Sequence, residues 1–176
     1  IDMQPVTIAI VGTGFVADYY MTTLAGHPQL KLAGVFDRNT NRLAQFCAFH
    51  KVRAYPGYAA MLADPLVEIV VNLASPQAHF EISKAALEAG KHVYSEKPLA
   101  MSLEDAEGLV SLARSRNLTI ASAPANGLSD ACALVRDQLL ADAIGTPRLV
   151  YAEMEDGPVF REKWQDWKSR SGAPWP

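Results

Sequence analysis

The chain has 176 residues, enough for one full core and part of a second but too few for two complete domains. Its 16 Lys and Arg against 19 Asp and Glu leave a net charge of −3 with no long basic run, which argues against a nucleic-acid-binding face. The apolar stretches are strand-sized and interrupted, so none is predicted to span a membrane, and no basic-then-apolar leader opens the chain.

In chain order, Val6 to Val11 is a β-rich run with little polar interruption, the pattern of a strand covered on both faces. A helix is predicted from Phe15 to about Ala25, stopped by Gly26-His27-Pro28. Leu30 to Phe36 reads as the second strand and Asn39 to about Phe49 as the second helix. A short strand at Val52 to Ala54 and a brief helix from Tyr58 to Leu62 follow. Val67 to Leu73 is a buried strand, and Gln77 to Ala89 a helix closed by Gly90. After a strand from Lys91 to Tyr94, Ser102-Leu103-Glu104-Asp105 has capping-box form and opens a helix to about Arg116. Leu118 to Ser122 ends the alternation.

Strands alternating with helices predict an α/β fold, a doubly wound parallel Rossmann sheet over residues 1–122. Beyond it, residues 123–176 are expected to be a linker helix, from about Leu128 to Leu140, and the truncated start of an α+β second domain. Its first strand is placed at Arg148 to Glu153, reaching toward Glu155, with no evident partner among the earlier strands. The chain opens on Ile1 rather than Met, and the second domain is expected to continue past Pro176.

The chemistry concentrates at two places. Gly12-Thr13-Gly14-Phe15-Val16-Ala17 joins the first strand to the first helix. Gly12 permits the tight turn, Gly14 lets backbone approach a diphosphate, and Ala17 keeps helix and sheet close. The helix N-terminus then aims N–H groups and partial positive charge at phosphates. Asp37 closes the second strand, about 20 residues further on, where a carboxylate can bond both hydroxyls of an adenosine ribose. That favours NAD, and Arg38 beside it keeps NADP open as the second choice.

The second place is Tyr94-Ser95-Glu96-Lys97-Pro98. Together with Gly12-Thr13-Gly14, Asn72-Leu73-Ala74-Ser75-Pro76 with His79, and Glu88-Ala89-Gly90-Lys91-His92-Val93, it resembles the N-terminal half of the glucose–fructose oxidoreductase / inositol dehydrogenase / MocA family. The likeness covers about residues 6–155. It implies hydride transfer between a held NAD(P) and a sugar, cyclitol or polyol. It also implies that Lys97 lies beside nicotinamide and substrate as proton donor or acceptor, or as a polariser of the substrate oxygen. Glu96 is then expected on the ribose side, with Pro98 aiming Lys97, and Ala74, Ser75 and Pro76 along the cofactor. The resemblance further implies a homo-oligomer when full length, and an acid–histidine pair in the second domain. No histidine follows residue 122, so this stretch by itself is expected to be inactive. A non-catalytic dinucleotide-binding sensor is the second reading, disfavoured by the retained lysine.

His79 is read as either facing the cofactor or bonded locally in the first turn of its helix, and His92 as a satisfied core residue. His27 and His50 are placed on the surface. Cys47 and Cys132 lack metal-ligand spacing and are expected to be buried free thiols, so no metal is expected. Trp164 to Trp175 is expected to be an aromatic anchor for domain packing, or a disordered tail, rather than to stack on sugar. Met61, Leu62 and the apolar positions from Met101 to Leu112 are expected to face the core. The cytoplasm is the expected compartment.

Overall fold

The run Val6–Val11 gives both its faces to the interior. Ile8 and Ile10 join one buried cluster, and Ala9 and Val11 join the other. Side chains alternate along a strand, so an unbroken apolar run is stable only where both faces are covered. The computed structural model describes residues 4–153 and 167–174. Its first unit holds β1 (Val6–Val11), β2 (Leu30–Phe36), β3 (Ile69–Asn72), β4 (His92–Ser95) and β5 (Ile120–Ser122). All pairs are parallel, in the order β2-β1-β3-β4-β5.

Helices cover each face. Ala17 of α1 (Phe15–Leu24) and Phe46 of α2 (Thr40–His50) pack with Ile8, Ile10, Val35 and Val71 on one side. On the other, Met61 of α3 (Tyr58–Leu62), Ala86 and Leu87 of α4 (His79–Glu88), and Leu109 and Ala113 of α5 (Leu103–Ser115) pack with Ala9, Val70 and Val93. Each fully buried aliphatic or aromatic side chain contributes roughly 1.5–3 kcal/mol. Local signals set the helix starts: Asn39 accepts from the Arg42 N–H at 3.0 Å, and Ser102 from the Asp105 N–H at 3.1 Å.

Three expectations change. The strand at 52–54 is a single parallel bridge, Ala54 with Val35 on the outer side of β2. Tyr55 still donates its N–H to the Val35 carbonyl at 2.8 Å, but Pro56 comes next and has no N–H with which to extend a ladder. Residues 148–153 form no strand and are exposed; among the described residues nothing runs beside them to complete hydrogen-bond pairs. The tail at 167–174 belongs with residues 4–123, whereas the described residues 124–153 fall in a second unit. That unit contains α6 (Asp130–Leu140), capped by Ser129, whose hydroxyl accepts from the Cys132 N–H.

Burial corrects two further points. Cys47 is half-buried and Cys132 exposed. Met101 and Leu103 face outward, and the core side of α5 begins with Leu109. Trp167 is 47% exposed, while Trp164 and Trp175 lie outside the described residues. Among the described residues, no helix is long and apolar enough to cross a membrane.

Candidate functional site

From β1 the chain passes to β2 on one side and later returns to β3 on the other, so the carboxyl ends of β1 and β3 border a crevice. Gly12 leaves β1 at φ +93°. A Cβ there would lie 2.6 Å from the carbonyl carbon and oxygen of Leu73 and 2.7 Å from the nitrogen of Ala74. Only glycine lets these two strand exits lie side by side. Gly14 caps α1 without a side-chain hydrogen bond, and a Cβ on it would meet nothing within 4 Å.

A cleft of about 800 Å³ opens at this edge. Gly12, Gly14, Phe15 and Val16 line it from the first turn, and Asp37 and Arg38 from the end of β2. Ala74, Ser75, Pro76 and His79 line it after β3, and Glu96 and Lys97 after β4. Thr13 and Pro98 do not. Thr13 is fully buried and turned inward, its N–H and hydroxyl both donating to Asp37 Oδ2 at 2.8 and 3.1 Å. Pro98 is exposed, and its carbonyl oxygen is 2.6 Å from His79 Nδ1.

The loop after β4 is braced from two sides. The Tyr20 hydroxyl on α1 donates to Glu96 Oε1 at 2.8 Å, and the Lys97 N–H donates to Glu96 Oε2 at 3.1 Å. Burial first, then the hydrogen bonds with Tyr94 and Glu96, push the Tyr20 phenol well above its ordinary value, so it remains a donor. The expected ribose contact of Glu96 therefore competes with two bonds already made. His79 is 1% exposed, with Nε2 3.0 Å from the Ala74 carbonyl oxygen and Nδ1 on that of Pro98. His79 thus ties the exit of β3 to the Lys97-Pro98 segment, a cis peptide bond. The Lys97 side chain is exposed on the cleft, and no ion pair or hydrogen bond holds its ammonium among the described residues.

Several contributors escaped the sequence reading. Arg42, Tyr58, Ile82 and Pro174 also line the cleft. Arg42 had a legible signal, since it stands in the first turn of the helix after β2, within reach of the residue closing that strand. Tyr58 donates to the Ile82 carbonyl at 2.6 Å, a contact between separate helices that no local pattern announces.

The family described as "Oxidoreductase family, NAD-binding Rossmann fold" (GFO_IDH_MocA) matches residues 6–123. The chain belongs to the Gfo/Idh/MocA family. It is 31% identical over 144 residues to a UDP-N-acetylglucosamine 3-dehydrogenase from Acidithiobacillus ferrooxidans, covering 82% of this chain and 44% of that protein. The WlbA dehydrogenase from Chromobacterium violaceum, solved with NADH and UDP-GlcNAcA, superposes with TM-score 0.75 at 25% identity, covering 82% of this chain and 42% of that one. A biliverdin reductase from Synechocystis, solved with biliverdin and NADP+, gives TM-score 0.67 at 29% identity over 77% of this chain and 43% of that one. The chain thus spans less than half the length of these relatives.

As a Gfo/Idh/MocA cleft, the arrangement has room for a dinucleotide. Its glycine turn would be closed by any side chain at Gly12, and the start of α1 carries no side-chain cap that would cover its amides.

Two buried carboxylates brace the surrounding frame. Burial alone would raise the pKa of Asp37, but hydrogen bonds from Arg42, Thr13 and Asn39 outweigh it and hold the carboxyl below its ordinary value. Asp18 on α1 behaves likewise, burial being outweighed by hydrogen bonds from Ser169, His50 and Ser171. Asp18 accepts from the Ser171 N–H at 3.2 Å and hydroxyl at 2.8 Å, and pairs with His50 Nε2. His50, expected on the surface, is thus largely covered. Because both carboxyls are held below their unfolded values, the unfolded chain takes up protons first as pH falls. Their stabilisation is complete above about pH 4 and is lost as pH drops through the depressed native values. Asp18→Asn is expected to lower the urea midpoint at neutral pH and to show a shallower further loss below about pH 4. An acid limb as steep as the parent's would show that Asp18 titrates alike in both states.

Proposed function

We propose that this chain carries the cofactor-binding half of an NAD(P)-dependent oxidoreductase that moves a hydride between nicotinamide and a hydroxyl- or carbonyl-bearing carbon of a sugar, cyclitol or polyol. The observation that carries this reading is the exposed Lys97 side chain, without a partner among the described residues, on the same cleft as the Gly12–Gly14 turn and the start of α1. A nicotinamide, when bound, supplies the hydride acceptor or donor. The chain's own work is to hold the diphosphate at the α1 amides, and to keep the loop after β4 in place through Glu96, Tyr20 and His79. Lys97 then gives or takes the proton at the substrate oxygen, or stabilises charge developing there. The class of substrate is inferred from relatives whose names specify nucleotide-sugar or inositol dehydrogenases.

The test uses the full gene product. NADH fluorescence titration is expected to show binding, and nicotinamide absorbance is expected to change with at least one member of a panel of nucleotide sugars, inositols and free polyols. Binding without turnover on any hydroxyl or carbonyl compound would favour a dinucleotide sensor. No binding of either cofactor would remove the reading altogether.

A further inference from the structure

Asp37 has no lone pair left for a ribose. Its Oδ2 accepts from the Thr13 N–H at 2.8 Å, the Thr13 hydroxyl at 3.1 Å and Arg42 Nε at 3.0 Å. Its Oδ1 accepts from the Asn39 N–H at 2.8 Å and Arg42 Nη2 at 2.9 Å. A carboxylate offers about four acceptor sites, so these donors saturate it. The expectation that Asp37 bonds both ribose hydroxyls and repels a 2′-phosphate assumed a free, uncompensated carboxylate. Neither condition holds.

The donors differ in what they can give up. Two are main-chain N–H groups fixed by the turn and by the start of α2, and the Thr13 hydroxyl is fully buried. Arg42 is the exception, since its side chain is 35% exposed and that of Asp37 only 3%. Arg42 and Arg38 both line the cleft, and the Arg42 guanidinium cancels the carboxylate charge through a two-pronged contact with Asp37.

We propose that Arg42 determines cofactor choice. Paired with Asp37, it removes the repulsion that a bare carboxylate would exert and, with Arg38, offers positive charge to a 2′-phosphate, so the chain accepts NADP(H) as well as NAD(H). Without Arg42, three donors remain on Asp37, which regains one open acceptor and its uncompensated charge; this favours a ribose hydroxyl and disfavours the phosphate. This rests on the dinucleotide reading of the cleft, and is separable from it because binding, not turnover, is measured.

Arg42→Gln is the direct test, with NADH and NADPH titrated by fluorescence against variant and parent. The parent is expected to bind both within about tenfold of each other. In the variant, the Kd ratio of NADPH to NADH is expected to rise at least tenfold, by weaker NADPH binding with NADH held or tightened. An unchanged ratio in a variant that still binds NADH would overturn the role of Arg42 and leave the cleft reading standing. Failure of the parent to bind either nucleotide would overturn both. A second measurement needs no variant: thermal melting of the parent with adenosine 2′,5′-bisphosphate or with ADP. Equal or greater stabilisation by the bisphosphate supports the proposal. Stabilisation by ADP alone overturns it, even where Arg42→Gln fails to fold.

Discussion

Lys97→Met is expected to lower turnover of the full gene product by about 10²–10⁴-fold while leaving NADH affinity within about twofold of the parent. The asymmetry follows from where the side chain lies. It is exposed on the cleft and holds no partner among the described residues, so its removal breaks no structural bond. Methionine keeps the unbranched stem and removes only the charge and the exchangeable protons. The main-chain N–H of residue 97 still donates to Glu96, and the His79 contact with the Pro98 carbonyl does not involve the substituted atoms. An interaction made only as the substrate oxygen gains or loses its proton should appear in kcat and in kcat/KM equally. A rise in KM alone would instead make Lys97 a substrate-binding group, and unchanged kinetics would remove it from the chemistry. Circular dichroism melting should show no shift between parent and variant, which separates a chemical loss from a folding one.

What could be read in the sequence was whatever local chemistry decides. The two-sided burial of Val6–Val11 is written in its unbroken apolar run, and the entries to α2 and α5 in Asn39 and Ser102, each bonding an N–H three residues on. The Gly12 turn was legible because only glycine fits so close to the exit of β3. The failures share a different cause. Thr13 was expected at the cofactor, but its donors are consumed by Asp37, a partner 24 residues away. His50 looked like a helix-end surface residue because Asp18 and Ser171 reach it only in the folded chain. Residues 148–153 have strand composition, yet a strand is a property of two segments, and composition names only one. The Asp37 corner is the exception, because Arg42 stands only five residues on, in the first turn of α2, where its bond to the carboxylate could have been anticipated.

The two glycines of the first turn should respond to the same substitution in opposite ways. At Gly12, alanine would have to hold φ +93° and place its Cβ 2.6 Å from the Leu73 carbonyl. Neither side can yield, because the Gly12 N–H is bonded to the Phe36 carbonyl and the Leu73 N–H to that of Val11, both at 2.8 Å. Backbone strain of about 1–3 kcal/mol and overpacking of about 1–3 kcal/mol combine to roughly 2–6 kcal/mol. For a chain of this size that is a fall in melting temperature of roughly 4–24 °C. Gly14 is at φ −81°, and its added Cβ would meet nothing within 4 Å. Gly14→Ala is therefore expected to hold the melting temperature within about 4 °C, since an N-cap glycine and alanine differ by little more than a few tenths to 1 kcal/mol. Its cost falls on the cleft, where the methyl group occupies space that a diphosphate needs, and NADH binding is expected to weaken by at least tenfold. Differential scanning fluorimetry and NADH titration on the two variants read these effects separately. Equal loss of stability at both positions would mean that the turn's glycines serve the fold alone, and tight NADH binding by Gly14→Ala would place the diphosphate away from the start of α1.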